Sequence, residues 1–157
     1  MSAIVGNRLT TPILELFDGR DLGAKIGLAY LLVTADDDGS PRPCMLSVGE
    51  ILAVDEQHLR LAIWQGTRTS ANLSSGRSCL FCYIAPGQVL YVRGAVKTLG
   101  RLAERQLDCF EIEVASLESD DHPGMPVVET FRFGLTSQKP GEISREWQHR
   151  LDALRQL

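Results

Sequence analysis

Leu59-Arg60-Leu61-Ala62-Ile63-Trp64-Gln65-Gly66-Thr67-Arg68-Thr69-Ser70-Ala71-Asn72-Leu73 is the stretch on which the chain changes its periodicity. Up to Trp64 it alternates, with Leu59, Leu61 and Ile63 on one strand face and Arg60, Ala62 and Trp64 on the other. Gly66 permits a sharp change of backbone direction. Thr67 is a natural N-cap for a short helix ending near Gly76. The amides of Arg68, Thr69 and Ser70 then project from the positive end of that helix, a place suited to an anion. Three hydroxyls and one guanidinium within four residues match the donors a phosphate needs. A capping hydroxyl and a surface arginine explain the same string without any ligand, so the local chemistry leaves both readings open. No G-x-x-x-x-G-K-[ST] or G-x-G-x-x-G string is present, so neither phosphate loop is supported.

Outward from this point the chain reads as strands. Residues 28–34 form a nearly continuous apolar run, long enough for a strand buried on both sides. The Asp-Gly step in 36–41 predicts a turn, after which one strand runs from Cys44 through Met45, Leu46 and Ser47 to Val54. Residues 55–58 are polar and turn-like. Beyond the helix, strands over 78–85 and 88–98 are joined by Pro86-Gly87. Gly94, inside the second of them, marks a bulge or a close backbone approach. Residues 110–114 alternate as a strand, 120–124 form a loop, and 127–135 form a final strand. Near the start, Thr11-Pro12 opens a short helix with Thr11 as its cap, an apolar face of Ile13, Leu14 and Phe17, and a stop at Gly19. At the end, Ile143, Trp147, Leu151 and Leu154 recur as one stripe of a helix, packed on the barrel or against a partner helix. Six or seven hairpin-linked strands with three helices predict a mainly β fold with peripheral helices. A closed or partly closed antiparallel barrel hides the strand edges best, as one domain over residues 1–157.

Composition bounds the function. The chain has 157 residues, 44% hydrophobic and 23% charged, with 16 basic against 20 acidic side chains and a net charge of −4. This is a globular balance, and it argues against a nucleic-acid or anionic-membrane binder, which carries a basic excess. No run approaches the ~20 apolar residues that span a bilayer. Residues 1–8 lack the pattern of a secretory signal, so a cytoplasmic location is expected. Cys79 and Cys82 form a C-x-x-C string, but residues three apart on a strand face opposite ways, so these thiols are expected not to converge on a metal. Cys44 and Cys109 stand apart from them. His58, His122 and His149 fall on a turn, a loop and a charged helix, where surface positions are expected. The run Asp36-Asp37-Asp38 reads as a solvated turn, without the ligand spacing of a calcium loop. No catalytic triad or carboxylate pair can be assembled, so catalytic residues are unassigned and no metal is expected.

The order of elements together with Thr67-Arg68-Thr69-Ser70-Ala71-Asn72-Leu73 resembles the pyridoxamine 5′-phosphate oxidase-like family of FMN-binding split barrels. Residues 34–46 and Leu90-Tyr91-Val92-Arg93-Gly94-Ala95 fit the same frame, and the resemblance runs from about residue 28 to residue 99. It implies an antiparallel split β-barrel of six to seven strands, with short helices and a C-terminal helix. It also implies FMN phosphate binding by Thr67, Arg68 and Thr69, with Asn72 fixing the helix. Cys44, Met45, Leu46 and Ser47 would line the ring and ribityl chain, Ile63 and Trp64 would border the ring, and Gln88 is a further ring contact. The true oxidases carry an Arg near the position of Cys44 and a Lys at that of Thr69. Here Arg42, on the same strand face as Cys44, is the nearest cation, and the oxidases' C-terminal substrate signature is absent. The resemblance therefore implies a homodimer with the cofactor groove between protomers, acting as an FMN-dependent oxidoreductase on a small molecule other than pyridoxamine phosphate. The alternatives are a flavin- or haem-holding protein without turnover and, below it, a reductase using the deazaflavin F420. In flavin enzymes the cofactor carries the electrons and the protein supplies position and electrostatics.

Overall fold

The computed structural model describes residues 2–157, built from nine strands, three α-helices and three short 3₁₀ turns. The strands are β1 (Ser2–Gly6), β2 (Leu28–Ala35), β3 (Pro41–Ser47), β4 (Ile51–Asp55), β5 (His58–Trp64), β6 (Cys79–Ala85), β7 (Gln88–Leu102), β8 (Leu107–Asp120) and β9 (Phe131–Arg132). The helices are α1 (Thr11–Leu16), α2 (Arg68–Ser74) and α3 (Pro140–Arg155). One antiparallel sheet runs in the order β3-β2-β6-β7-β8-β5-β4, while β1 pairs with β8 and β9 with β2 off that path. The seven strands on the path form the expected split barrel, and β1 and β9 add to them.

The barrel depends on a strand that bends. Residues 44–54 read as one strand from their apolar content, but Val48–Glu50 is a 3₁₀ turn. The half before the turn pairs with β2 (Leu32 opposite Cys44), and the half after it pairs with β5 (Ile51 opposite Leu61). The two edges of the sheet are thus consecutive in the chain, which curls the sheet on itself. Ser47 and Glu50 fix the bend with a capping box, the Ser47 amide and hydroxyl reaching Glu50 Oε2 at 2.7 and 2.9 Å.

The interior is filled from alternate positions of these strands. Leu32, Leu59, Leu61, Phe81, Phe110 and Ile112 have no exposed surface. Fully burying one such side chain contributes roughly 1.5–3 kcal/mol. Phe17 meets Tyr30 and Phe81 edge-on at 5.2 and 5.6 Å between ring centroids, joining α1's end to the core. The α3 stripe is buried as its spacing predicts, with Ile143, Trp147, Leu151 and Leu154 all in the core cluster. Gly49, in the bend, gives the Trp147 ring its seat: a Cβ there would run into the indole.

Several local expectations need correction. The cap of α1 is Thr10, not Thr11, because Thr11 and Pro12 already lie inside the first turn. Only Phe131–Arg132 of the 127–135 segment pairs as a strand, held by β2; Val127 and Phe133 make single backbone bonds to Gly87 and Gly27, too isolated to extend the ladder. The strand around residues 110–114 extends over fourteen residues, because β7, β5 and β1 bond different parts of it. β1 was not expected; it is five residues long and exposed throughout. The bulge at Gly94 is present, as a register shift between Arg93 and Gly94, and a Cβ there would strike the Glu113 carbonyl. Cys79 faces the core and Cys82 does not belong to the core cluster; all four cysteines are free.

Candidate functional site

The short helix α2 follows β5 as the alternation breaks. Thr67 caps it with its Oγ1 accepting the Ser70 amide at 3.2 Å and donating to the Trp64 carbonyl at 2.8 Å. The Ser70 hydroxyl donates to Asp108 Oδ2 at 2.6 Å, and Arg101 holds the other oxygen of Asp108 at 2.8 Å. Thr69 is 6% exposed and its side chain bonds the Cys44 thiol. All three hydroxyls of the string therefore face the protein. Arg68 alone is free: it is exposed and has no hydrogen bond or ion pair among the described residues.

One turn further along α2, buried Asn72 clamps the end of β2. Its Nδ2 donates to Thr34 Oγ1 at 3.0 Å and to Asp36 Oδ1 at 2.9 Å. Arg42 Nε reaches both Asp36 oxygens at 2.8 Å, and a second guanidinium nitrogen lies 2.7 Å from Oδ2. These bonds, Arg42's first and then Asn72's, hold the Asp36 carboxyl down at about 2, with the Arg68 charge acting in the same direction. Asp36 is thus not part of a solvated turn: its side chain is 11% accessible, whereas that of Asp37 is 95% accessible.

Strand β3 sits at the edge of the sheet, and among the described residues no strand pairs with its outer side. Arg42, Cys44 and Leu46 alternate inward, while Pro41, Pro43 and Met45 are exposed. Proline suits such an edge because it has no amide hydrogen to leave unpaired. Burial pushes the Cys44 thiol up, so it stays protonated at neutral pH. Ser47, at the end of β3, spends its hydroxyl on Glu50.

Ile63 and Trp64 separate. Ile63 is 4% exposed in the core, whereas Trp64 is 49% exposed. Trp64 lies on the rim of a cavity of about 350 Å³ that also touches Ser47, Glu50, Phe133, Trp147 and Arg150. Arg150 is buried; its guanidinium lies 5.9 Å from the Trp64 ring centroid and donates to Glu146 at 2.8 Å, while its Nε has no partner among the described residues. Sequence reasoning missed Arg150 and Asp36. Arg150 stands one turn from Trp147 on the apolar stripe, a place where a charge signals burial; Asp36 was hidden in an acidic run.

The fold therefore gathers Arg42, Cys44, Thr69 and Asn72 around the end of β2, and Ser47 with Trp64 at the neighbouring cavity. Gln88 is elsewhere in the chain. It opens β7 opposite Ala85, whereas α2 meets the far end of that sheet, where Arg101 stands opposite Asp108.

No family model matches the chain. It is 31% identical over 151 residues to the uncharacterized protein YclD of Bacillus subtilis (strain 168), a match covering 95% of this chain and 97% of that one. A solved structure from Lactobacillus delbrueckii, described provisionally as a pyridoxamine 5′-phosphate oxidase, superposes with a TM-score of 0.56 at 16% identity, covering 74% of this chain and 98% of that one. HupZ of Group A Streptococcus gives 0.53 at 12% identity, covering 80% and 99%. A heme binding protein from Mycobacterium smegmatis gives 0.50 at 12% identity, covering 73% and 57%. At these identities the structural likeness is one of fold, the oxidase-like split barrel.

Proposed function

We propose that this chain, which belongs to the same family as Bacillus subtilis YclD, binds FMN beside β3 and α2 and serves as an FMN-dependent oxidoreductase acting on a small molecule. The observation that carries the reading is the half-exposed Trp64 indole, which shares a cavity with Ser47 at the end of the edge strand β3 and stands four residues before the unpaired Arg68. A flat ring needs an aromatic or apolar face and backbone groups along its edge. Both are present here, from Trp64 and from Met45 to Ser47, so the residues fit the ring. The donors fit the phosphate less fully, since only Arg68 and the first amides of α2 are uncommitted.

Bound flavin supplies hydride or single-electron transfer. The chain's own part is to bind and orient: Trp64 offers a stacking face, β3 offers its edge, and the cavity beside Trp64 leaves room for a second small molecule. A homodimer with the groove between protomers is part of the proposal, and would let Gln88 of one chain approach the ring held by the other.

A second reading, a carrier of flavin or haem without turnover, is favoured by the engaged state of the groove's proton-bearing groups. The Glu50 carboxylate is spent on Ser47, and the Cys44 thiol is raised. An absorption spectrum of the purified protein separates flavin, deazaflavin and haem. Sustained acceptor-dependent reoxidation after reduction by a nicotinamide donor supports the enzyme, and its absence supports the carrier. Because Trp64 is exposed, Trp64→Ala should leave the fold intact and weaken FMN binding by roughly five- to tenfold, the scale of one aromatic contact. Unchanged affinity, read by flavin fluorescence quenching, counts against this placement.

A further inference from the structure

We infer that Asp36 sets the ligand selectivity of this groove: its carboxylate takes up the donors that the tail anion of a ligand would need, so riboflavin is accepted as readily as FMN. The inference rests on the flavin reading above and concerns which part of the flavin is recognised.

It follows from counting the donors at the start of α2. The Thr67 hydroxyl is committed to the Trp64 carbonyl and the Ser70 amide, and the Ser70 hydroxyl to Asp108. The Thr69 side chain is buried against Cys44. Asn72 Nδ2 is shared between Thr34 and Asp36, and the Arg42 guanidinium closes on both Asp36 oxygens. The residual donors are the Arg68 guanidinium and the amides of Arg68 and Thr69, the first two positions of a seven-residue helix.

The local charge gives the same answer. Arg68 and Asn72 are four residues apart and share a face of α2, so a tail anion bound by Arg68 lies next to the Asp36 carboxylate that Asn72 holds. Arg42 is paired with Asp36 and Arg77 with Asp37, and with Asp38 the three carboxylates of the turn equal Arg42, Arg68 and Arg77 in number. A phosphomonoester brings a charge of about −1.5 to −2 at neutral pH into a neighbourhood that is already neutral. An uncharged ribityl hydroxyl brings none, and the amides and Arg68 can hydrogen-bond it equally well. In effect the chain carries its own anion at the tail subsite, fixed by three hydrogen bonds and the Arg42 ion pair.

The experiment is paired titration of the purified full-length chain with riboflavin and with FMN, followed by flavin fluorescence quenching. The two dissociation constants are expected to agree within about threefold, and Arg68→Ala to weaken both flavins alike, leaving their ratio within about threefold. Asp36→Asn, which keeps the shape and releases the charge, is expected to shift the ratio at least about fivefold toward FMN. FMN affinity of the unmodified chain should change less than about twofold between about 50 and 500 mM salt, a measurement that needs no variant. FMN binding more than about tenfold tighter than riboflavin, steeply weakened by salt, overturns the inference and leaves the flavin reading standing. An unmoved ratio in a folded Asp36→Asn protein overturns it as well. If neither flavin binds, both fall together.

Discussion

Gly94 and Gly49 show how single atoms hold this barrel in shape. At Gly94 the β7 backbone passes so close to β8 that a methyl group would meet the Glu113 carbonyl, and at Gly49 it would meet the Trp147 indole. The two obstacles differ in kind, because a ring can shift and a paired strand cannot. Gly49→Ala should therefore cost about 1–3 kcal/mol, the usual penalty of overpacking, and Gly94→Ala should cost more. Urea unfolding checks this, with midpoints falling in that order and the slope unchanged. Asp36 makes a second residue-scale prediction. Its carboxyl is held down at about 2 by Arg42 and Asn72, below its ordinary 3.8. A depressed carboxyl adds stability that is present above its unfolded value and lost as pH falls from about 4 to about 2. Asp36→Asn should accordingly lose less stability than the unmodified chain between about pH 5 and pH 2.5, read as urea midpoints. None of this was legible in the string 36–38. The bonds that single out Asp36 come from Arg42 across a hairpin and from Asn72 on a helix 36 residues away. The same limit hid the fate of the Thr67 to Ser70 hydroxyls: the helix and its cap were readable from local chemistry, but Asp108, which takes up Ser70, was not.

At the scale of elements, β6 carries the string that most resembles a redox or metal motif, and the strand geometry disarms it. Burial pushes Cys79 up to about 12 and Cys82 up to about 11, and Cys109, on β8, also rises to about 11. The thiolate is the reactive form, so these three should be inert while the barrel is folded. In the native protein an aromatic disulfide reagent should modify at most Cys44, the half-buried one, and do so slowly; all four thiols should react in denaturant. Rapid native reaction at two or more sites would show that the strand opens. The inertness was readable because period-two alternation is a local property, and so were β2, β5, β6 and the α3 stripe. The bend at Val48–Glu50 was not, because Leu46, Val48, Ile51 and Leu52 are all apolar and buried whether the strand runs straight or turns. What makes it turn is a choice of partner, β2 before and β5 after, and partners lie far away in sequence. β1 escaped notice for a related reason: its five residues are exposed, so no burial pattern marks them.

For the molecule as a whole, the apolar groups left outside the barrel are concentrated on two segments. Ile4 and Val5 on β1 are 75% and 56% exposed, and Met125 and Val128 in the segment after β8 are 79% and 76% exposed. Phe131, Phe133 and Leu135 extend the second segment, also exposed. Such groups, scattered singly, need no explanation, but successive ones along a segment mark a surface that another body covers. A second copy of the chain is the economical candidate, because the groove beside β3 is open and Gln88 lies at the other end of β7 from the part that α2 meets. Light scattering after size exclusion should therefore give about twice the 17.3 kDa of one chain at micromolar concentration. Val128→Glu offers the sharper test. Its side chain projects from an irregular segment and is outside the core, so a charge there should leave the barrel's unfolding midpoint within about 0.5 kcal/mol of the original. Placed at an interface, the same charge is desolvated and should shift the chain toward monomer. If the groove is completed by the partner, flavin affinity should fall in parallel and become dependent on protein concentration. A variant that stays dimeric would move the interface away from Val128. One that becomes monomeric and keeps full flavin affinity would show that a single barrel holds the ring unaided.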